Sequence, residues 1–171
     1  MDSDWLCRSC IADCHGGVVS SGAFDHAFEE AFNLLCGEKI GQGMSRTVFE
    51  CKLLPGYVIK VEPDLGHFQN IAEWLIWQEV IGTPASRWFA ECKWLGDNGK
   101  ILIQERTRPP APKEFEANVP VWFTDLKRTN WGMAQTNKEG KQYLVCHDYG
   151  TSLALTHGTI TQRMKKADWI D

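Results

Sequence analysis

The sequence predicts an α+β fold, an antiparallel sheet with a helix, and three observations predict it. Between Glu38 and Lys60 short apolar runs alternate with turn residues, in the pattern strand, glycine turn, strand, turn, strand. From His67 to Val80 the period becomes helical, with Glu73, Trp77 and Val80 on one face at i, i+4 and i+7. From Trp88 to Gln104 the pattern F-A-E-C-K-W-L, G-D-N-G, K-I-L-I-Q returns to a hairpin, with Asn98-Gly99 as a two-residue turn.

The whole chain sets the frame for these elements. Its 171 residues suit one domain with a sizeable core, and 43% hydrophobic, 23% charged and eight Trp is a globular composition. A net charge of −4 argues against a nucleic-acid partner held through its phosphates. No apolar run is long enough to span a bilayer, and the acidic start M-D-S-D-W-L-C-R lacks the apolar stretch of a secretory signal. A cytoplasmic protein away from the membrane is therefore expected, with its seven cysteines reduced. Cys7, Cys10, Cys14 and His15 are the residue types of a structural zinc site. Adjacent Cys14 and His15 point apart in most backbones, and no second C-x-x-C pair exists, which favours incidental thiols.

Residues 1–22 show no period and end in S-S-G, so residues 23–171 are read as the single domain. Phe24, Ala27, Phe28, Ala31, Phe32 and Leu35 then recur at helical spacing. Asp25, Glu29 and Glu30 lie toward the helix N-terminus and Gly37 is placed as a stop, giving an amphipathic helix of about three turns. Its aromatic stripe is expected to pack in the core. The next turn is G-Q-G-M-S-R-T-V, with glycines at Gly41 and Gly43. After the Pro55-Gly56 turn, Tyr57 to Val61 is a strand in which Lys60 stands between Ile59 and Val61. A carboxylate on the inner face of the next helix needs a partner, and Lys60 is the obvious one for Glu73; Glu79 competes but lies near the helix end. A last helix is expected from Thr159 to Trp169, with Arg163, Lys165 and Lys166 exposed.

The stretch from Pro120 to Gly150 carries the most chemistry. In P-V-W-F-T-D-L-K-R-T-N-W-G, Asp125, Lys127 and Asn130 stand at spacings of two and five. A polar interruption, read as a hairpin turn, separates it from K-Q-Y-L-V-C-H-D-Y-G, which ends in Asp148-Tyr149-Gly150. A phosphate-transferring site needs one carboxylate near the attacking hydroxyl and a cation near the moving phosphoryl group. It also needs an amide oxygen and a second carboxylate to hold Mg²⁺.

These residues resemble the catalytic loop D-L-K-x-x-N and the D-F-G triplet of the protein kinase family. Upstream, Gly41, Gly43 and Val48 match the family's glycine-rich loop G-x-G-x-x-G-x-V, with Arg46 at the third glycine. Lys60 matches the lysine of V-A-I-K, Glu73 its helical partner, and Glu105 to Thr107 the hinge between lobes, whose backbone pairs with adenine. The resemblance implies a kinase-like fold, with a five-stranded N-lobe-like part over 23–107 and a strongly reduced second lobe over 108–171. It implies ATP and Mg²⁺, with Asp125 accepting the hydroxyl proton and Lys127 stabilising the γ-phosphoryl group. Asn130 and Asp148 would hold the metal, while Lys60, fixed by Glu73, would hold the α- and β-phosphates.

The sequence also departs from the family. Nineteen residues separate Glu105 from Asp125, where a conventional kinase places two helices, and Glu114 to Asn118 form little more than a turn. Phe123-Thr124 replaces His-Arg, no A-P-E comes after Gly150, and the helices that carry a peptide substrate have no room. In size the chain looks like a trimmed version of the fold, as in some bacterial and phage kinase-like proteins. The D-L-K motif points to a protein hydroxyl as acceptor. A pseudokinase-like module that engages a protein partner is the alternative, and AMP transfer with the same groups is another. A short second lobe would expose apolar surface that a homodimer could cover.

Overall fold

The computed structural model describes residues 21–63, 66–134, 142–152 and 163–171, and these form an α+β structure with antiparallel sheets. The Cys7, Cys10, Cys14 and His15 cluster lies outside them, as do the turn at 135–141 and the first residues of the expected last helix. The chain divides into two units, Met1–Leu35 and Cys36–Asp171.

The described part of the first unit is helix α1 (Ser21–Leu35), about four turns long. Two expectations are corrected here. The stripe is not core at its C-terminal end, since Ala31, Phe32 and Leu35 are exposed. Nor does Gly37 stop the helix; strand pairing does, because Cys36 already pairs with Cys51.

The second unit opens with a five-stranded sheet. It contains β1 (Cys36–Gln42), β2 (Thr47–Cys51), β3 (Tyr57–Val61), β4 (Cys92–Leu95) and β5 (Ile101–Glu105), in the order β1-β2-β3-β5-β4. All four pairings are antiparallel. Central β3 shares both faces. Phe49, Ile59 and Ile103 stand in one row and pack with Cys36, Cys51 and Tyr57 into a small core. The neighbouring row, Val48, Lys60 and Leu102, points the other way, and a two-residue step puts Gln104 on that face as well.

Helix α2 (Gln69–Val80) buries Asn70, Glu73, Ile76, Trp77 and Val80. It starts two residues later than the periodicity suggests, because the Glu62 carboxylate accepts from the amides of Gln69 (3.3 Å) and Asn70 (3.0 Å). The β4–β5 loop also differs from expectation, since five residues, not two, join Leu95 to Ile101. The Gly96 amide bonds Ile101, Gly99 bonds back to Gly96 at φ 72°, and the Asn98 side chain accepts from Lys100.

One residue beyond β5 the chain enters a second sheet. Here β6 (Thr107–Arg108) pairs with β8 (Trp131–Ala134), which pairs with β9 (Leu144–Cys146). A Cβ on Gly132 would lie 2.2 Å from Thr107 Oγ1, so β6 presses on β8 at a point only glycine allows. A third, two-stranded sheet joins β7 (Asn118–Pro120) to β10 (Met164–Lys166). The expected last helix is thus a strand at residues 164–166. Its ladder is extended by Val121 N–H to Arg163 O and Ala167 N–H to Ala117 O, and this distant pairing overrides local helix preference.

A core of large rings fills the space behind these strands: Trp77, Trp88, Phe89, Trp122, Phe123, Trp131 and Tyr149. Edge-on contacts such as Phe123 to Trp131 at 4.7 Å let a short stretch of chain bury a large area. Among the described residues no helix is long and apolar enough to cross a membrane.

Candidate functional site

The inner face of the first sheet carries charge where a core would carry carbon. Lys60 faces Val48 across the β2–β3 ladder, and Arg46, two residues before Val48, lies on the same side. Both reach Glu73, which is fully buried on α2. Lys60 Nζ is 2.9 Å from Glu73 Oε2, and Arg46 Nη2 is 2.8 Å from Oε1. Gln104 Nε2 donates to Oε2 at 3.2 Å. The same Arg46 nitrogen donates to Asp148 Oδ1 at 2.9 Å, and Nη1 to Asn70 Oδ1 at 3.3 Å. Burial raises the Glu73 pKa, but Lys60 and then Arg46 outweigh it and hold the carboxyl down at about 2. Asp148 is shifted upward, by partial burial first and by Glu73 second, against the pull of Arg46 and Lys60.

Its two C-terminal neighbours fix Asp148 in place. Tyr149 is buried in the ring cluster, its hydroxyl donates to Ala90 O at 2.9 Å, and Cys92 Sγ lies 2.9 Å from that Tyr149 hydroxyl. A Cβ on Gly150 would stand 2.5 Å from Gln69 Oε1, so the backbone runs tightly against the start of α2. All four described cysteines (Cys36, Cys51, Cys92 and Cys146) are free and buried, and burial pushes the Cys92 thiol up to about 12.

The second predicted group forms its own cluster. Leu126 and Phe123 are buried anchors, and between and beyond them Asp125 and Lys127 face outward. Asp125 Oδ1 accepts from the Lys127 amide at 3.2 Å, and Asp125 Oδ2 accepts from Asn130 Nδ2 at 3.0 Å. Lys127 Nζ lies 4.0 Å from Oδ2. The loop is tied down by Ile170, whose amide donates to Leu126 O and whose carbonyl accepts from the Arg128 amide.

His147 joins the two clusters, and no sequence motif singles it out. Its amide donates to Asn130 O at 2.9 Å, and its carbonyl accepts from Lys60 Nζ. The ring lies 3.0 Å from Thr129 O through Nε2 and 2.9 Å from Thr107 Oγ1 through Nδ1. A backbone carbonyl only accepts, so Nε2 carries the proton and Nδ1 accepts from the Thr107 hydroxyl. Burial, then Lys60, pushes the His147 pKa down from 6.5 to about 4. The unfolded chain thus takes up this proton near pH 6.5 while the folded chain resists until near pH 4. The contribution is fully present above pH 6.5 and is lost as pH falls through that window, by on the order of 3 kcal/mol. Urea melts of wild type and His147→Gln from pH 7 to 4 check this; a slope equal in both would refute it.

Beside His147 opens a cavity of about 450 Å³, walled by Thr107 to Pro110, Phe115, Thr129, Trp131 and His147. Of the remaining predicted residues, Thr107 thus lines the cavity. The amides of Glu105 and Arg106, expected at the hinge, donate to Glu91 O and Gly56 O. Gly41 pairs with Val48, and a Cβ there would meet nothing within 4 Å; at Gly43 it would meet only Arg46 O, at 3.9 Å. Neither glycine has a positive φ and neither Cβ would clash, so nothing within the described residues requires them, and space lies open above Gly41.

The two expected Mg²⁺ ligands are engaged by different partners. Asn130 donates through Nδ2 to Asp125, a bond that does not use its side-chain oxygen, and Asp148 Oδ1 accepts from the Arg46 guanidinium. Among the described residues no three His, Cys, Asp or Glu stand together to hold a metal. With the guanidinium on Asp148, a divalent cation approaching the same oxygen meets a like charge. The cation on Asp148 is one that the motif alone shows only as a substituted glycine. No protein-family model matches the chain, and no curated protein matches it in sequence.

Proposed function

We propose that the second unit is a nucleotide-binding domain of the protein kinase-like type, which transfers a phosphoryl group from ATP to a hydroxyl, in the first instance of a protein. The observation that carries this reading is the convergence on His147. Its carbonyl holds Lys60 of the buried Lys60–Glu73 pair, its amide holds the loop of Asp125 and Asn130, and its ring walls the cavity. A purely structural role gives no reason to set a desolvated lysine and an outward-facing carboxylate on either side of one residue beside a cavity. The order of five antiparallel strands, helix, connecting strand and two loops supports the same fold-level reading.

In this arrangement Lys60 offers its charge to phosphate, and the loop above Gly41 and Gly43 gives phosphate room to approach backbone amides. Asp125 is held by the Lys127 amide and by Asn130, with its carboxylate turned outward to receive a proton from an attacking hydroxyl. Lys127, nearby and exposed, stands ready to offset charge on the moving phosphoryl group. AMP transfer would use the same groups. A module that binds a protein partner without turnover is the second reading, favoured by the contact of Arg46 with Asp148.

The test separates chemistry from binding. Wild type and Asp125→Asn are incubated with γ-labelled ATP and arrayed Ser/Thr peptides, and ATP binding is measured in parallel. The expected result is transfer reduced by about a hundredfold or more, with binding spared. Equal loss of both, or full transfer by the variant, would refute the role of Asp125.

A further inference from the structure

We infer that Arg46 is the cation of this site: its guanidinium stands on Asp148 in place of a divalent metal, so that nucleotide phosphates bind to Arg46 and Lys60 without one. The inference rests on the nucleotide reading and concerns how that site neutralises its ligand.

The geometry is specific. Arg46 is 7% exposed, which is unusual for an arginine in a turn between two strands. One nitrogen, Nη2, bridges Glu73 Oε1 at 2.8 Å and Asp148 Oδ1 at 2.9 Å, two carboxylates that come from α2 and from the residue after His147. Nη1 reaches Asn70 Oδ1. The backbone is fixed as firmly as the side chain. Arg46 O accepts from the Gly43 amide at 2.8 Å, closing the turn, and the next residue, Thr47, pairs with Val61. The guanidinium is therefore tied both to the glycine turn and to the carboxylates beneath it.

Charge decides what such an arrangement can bind. Arg46 and Lys60 balance Glu73 and Asp148, and buried Glu62, held by the Gln69 and Asn70 amides, adds a further negative charge near Arg46. A dication placed on Asp148 would sit against a guanidinium 2.9 Å from the same carboxylate, and the like charges repel at short range in a partly buried place. Asp148 keeps 46% of its side chain exposed, so the outer edge of the cluster reaches solvent. An arginine presents several donors in one plane and suits phosphate oxygens there, with Lys60 as the second charge.

Removing Arg46 should reverse the metal preference. Without the guanidinium, Glu73 and Asp148 are neighbouring carboxylates short of one positive charge, and a divalent ion can take its place. The experiment is calorimetric titration of ATP into wild type, Arg46→Gly and Arg46→Lys, each with EDTA and with Mg²⁺. Wild type is expected to bind equally in both, within about threefold. Arg46→Gly should bind at least about tenfold more weakly in EDTA and recover in Mg²⁺. Arg46→Lys keeps a charge and guards against a glycine variant that fails to fold; it should lie between the two in EDTA. Wild-type binding that needs Mg²⁺ would overturn the inference and leave the nucleotide reading intact. Equal EDTA affinities for wild type and Arg46→Gly would also overturn it. Absence of ATP binding to wild type in both buffers would overturn both.

Discussion

Glu73→Ala should destabilise the second unit by about 3–5 kcal/mol, the range for removing one partner of a buried charge pair. Glu73 is fully buried and accepts from Lys60, Arg46 and Gln104. Its loss leaves two cations facing a single half-exposed carboxylate, Asp148, in a space closed by the sheet and α2. The cost arises less from missing contacts than from uncompensated charge, so it should shrink when a cation is removed as well. The double variant Glu73→Ala with Lys60→Met should be more stable than Glu73→Ala alone. Urea melts with an unchanged slope and a lowered midpoint would bear this out. A loss below about 1 kcal/mol in the single variant would mean that water reaches the cluster and screens its charges.

Lys60→Met is expected to have the largest effect on function and a smaller one on stability. Glu73 keeps Arg46 and Gln104 when Lys60 is lost, so its charge remains paired, and methionine fills much the same volume against Leu102. What disappears is a cation that also donates to the His147 carbonyl at the junction of the two clusters. ATP affinity should fall by about a hundredfold, the scale of a lost charge-assisted hydrogen bond to phosphate together with the misplacement of His147. A variant that melts near the wild-type midpoint but binds ATP poorly would separate this role from folding.

Much of the fold and site is legible in the residues, and the reason differs by element. The strand at Tyr57–Val61 and the face of α2 can be read because their periods are local, and the need of a buried carboxylate for a partner leads from Glu73 to Lys60. Asp125 and Asn130 can be read because the contact between them spans five residues. Arg46 cannot be placed, since its direction depends on the Val48–Lys60 register and its contact with Asp148 crosses 102 positions. His147 acts largely through its backbone, which no side-chain pattern announces. The last strand looks helical in sequence because its partner, β7, lies far back in the chain, and pairing there outweighs the local pattern of residues 159–169. The Asn98-Gly99 signal marks the turn correctly but not its length, because the Gly96 amide and the Asn98 side chain draw further residues into it.

The most direct measurement is calorimetric titration of ATP into wild type and Lys60→Met, with thermal melts of both to establish that each is folded. The expected result is a saturable isotherm of one site per chain for wild type and affinity about a hundredfold lower for the folded variant. Wild type without an isotherm, or a folded variant that binds as tightly as wild type, would contradict the claim that Lys60, Glu73 and His147 form a phosphate-binding site.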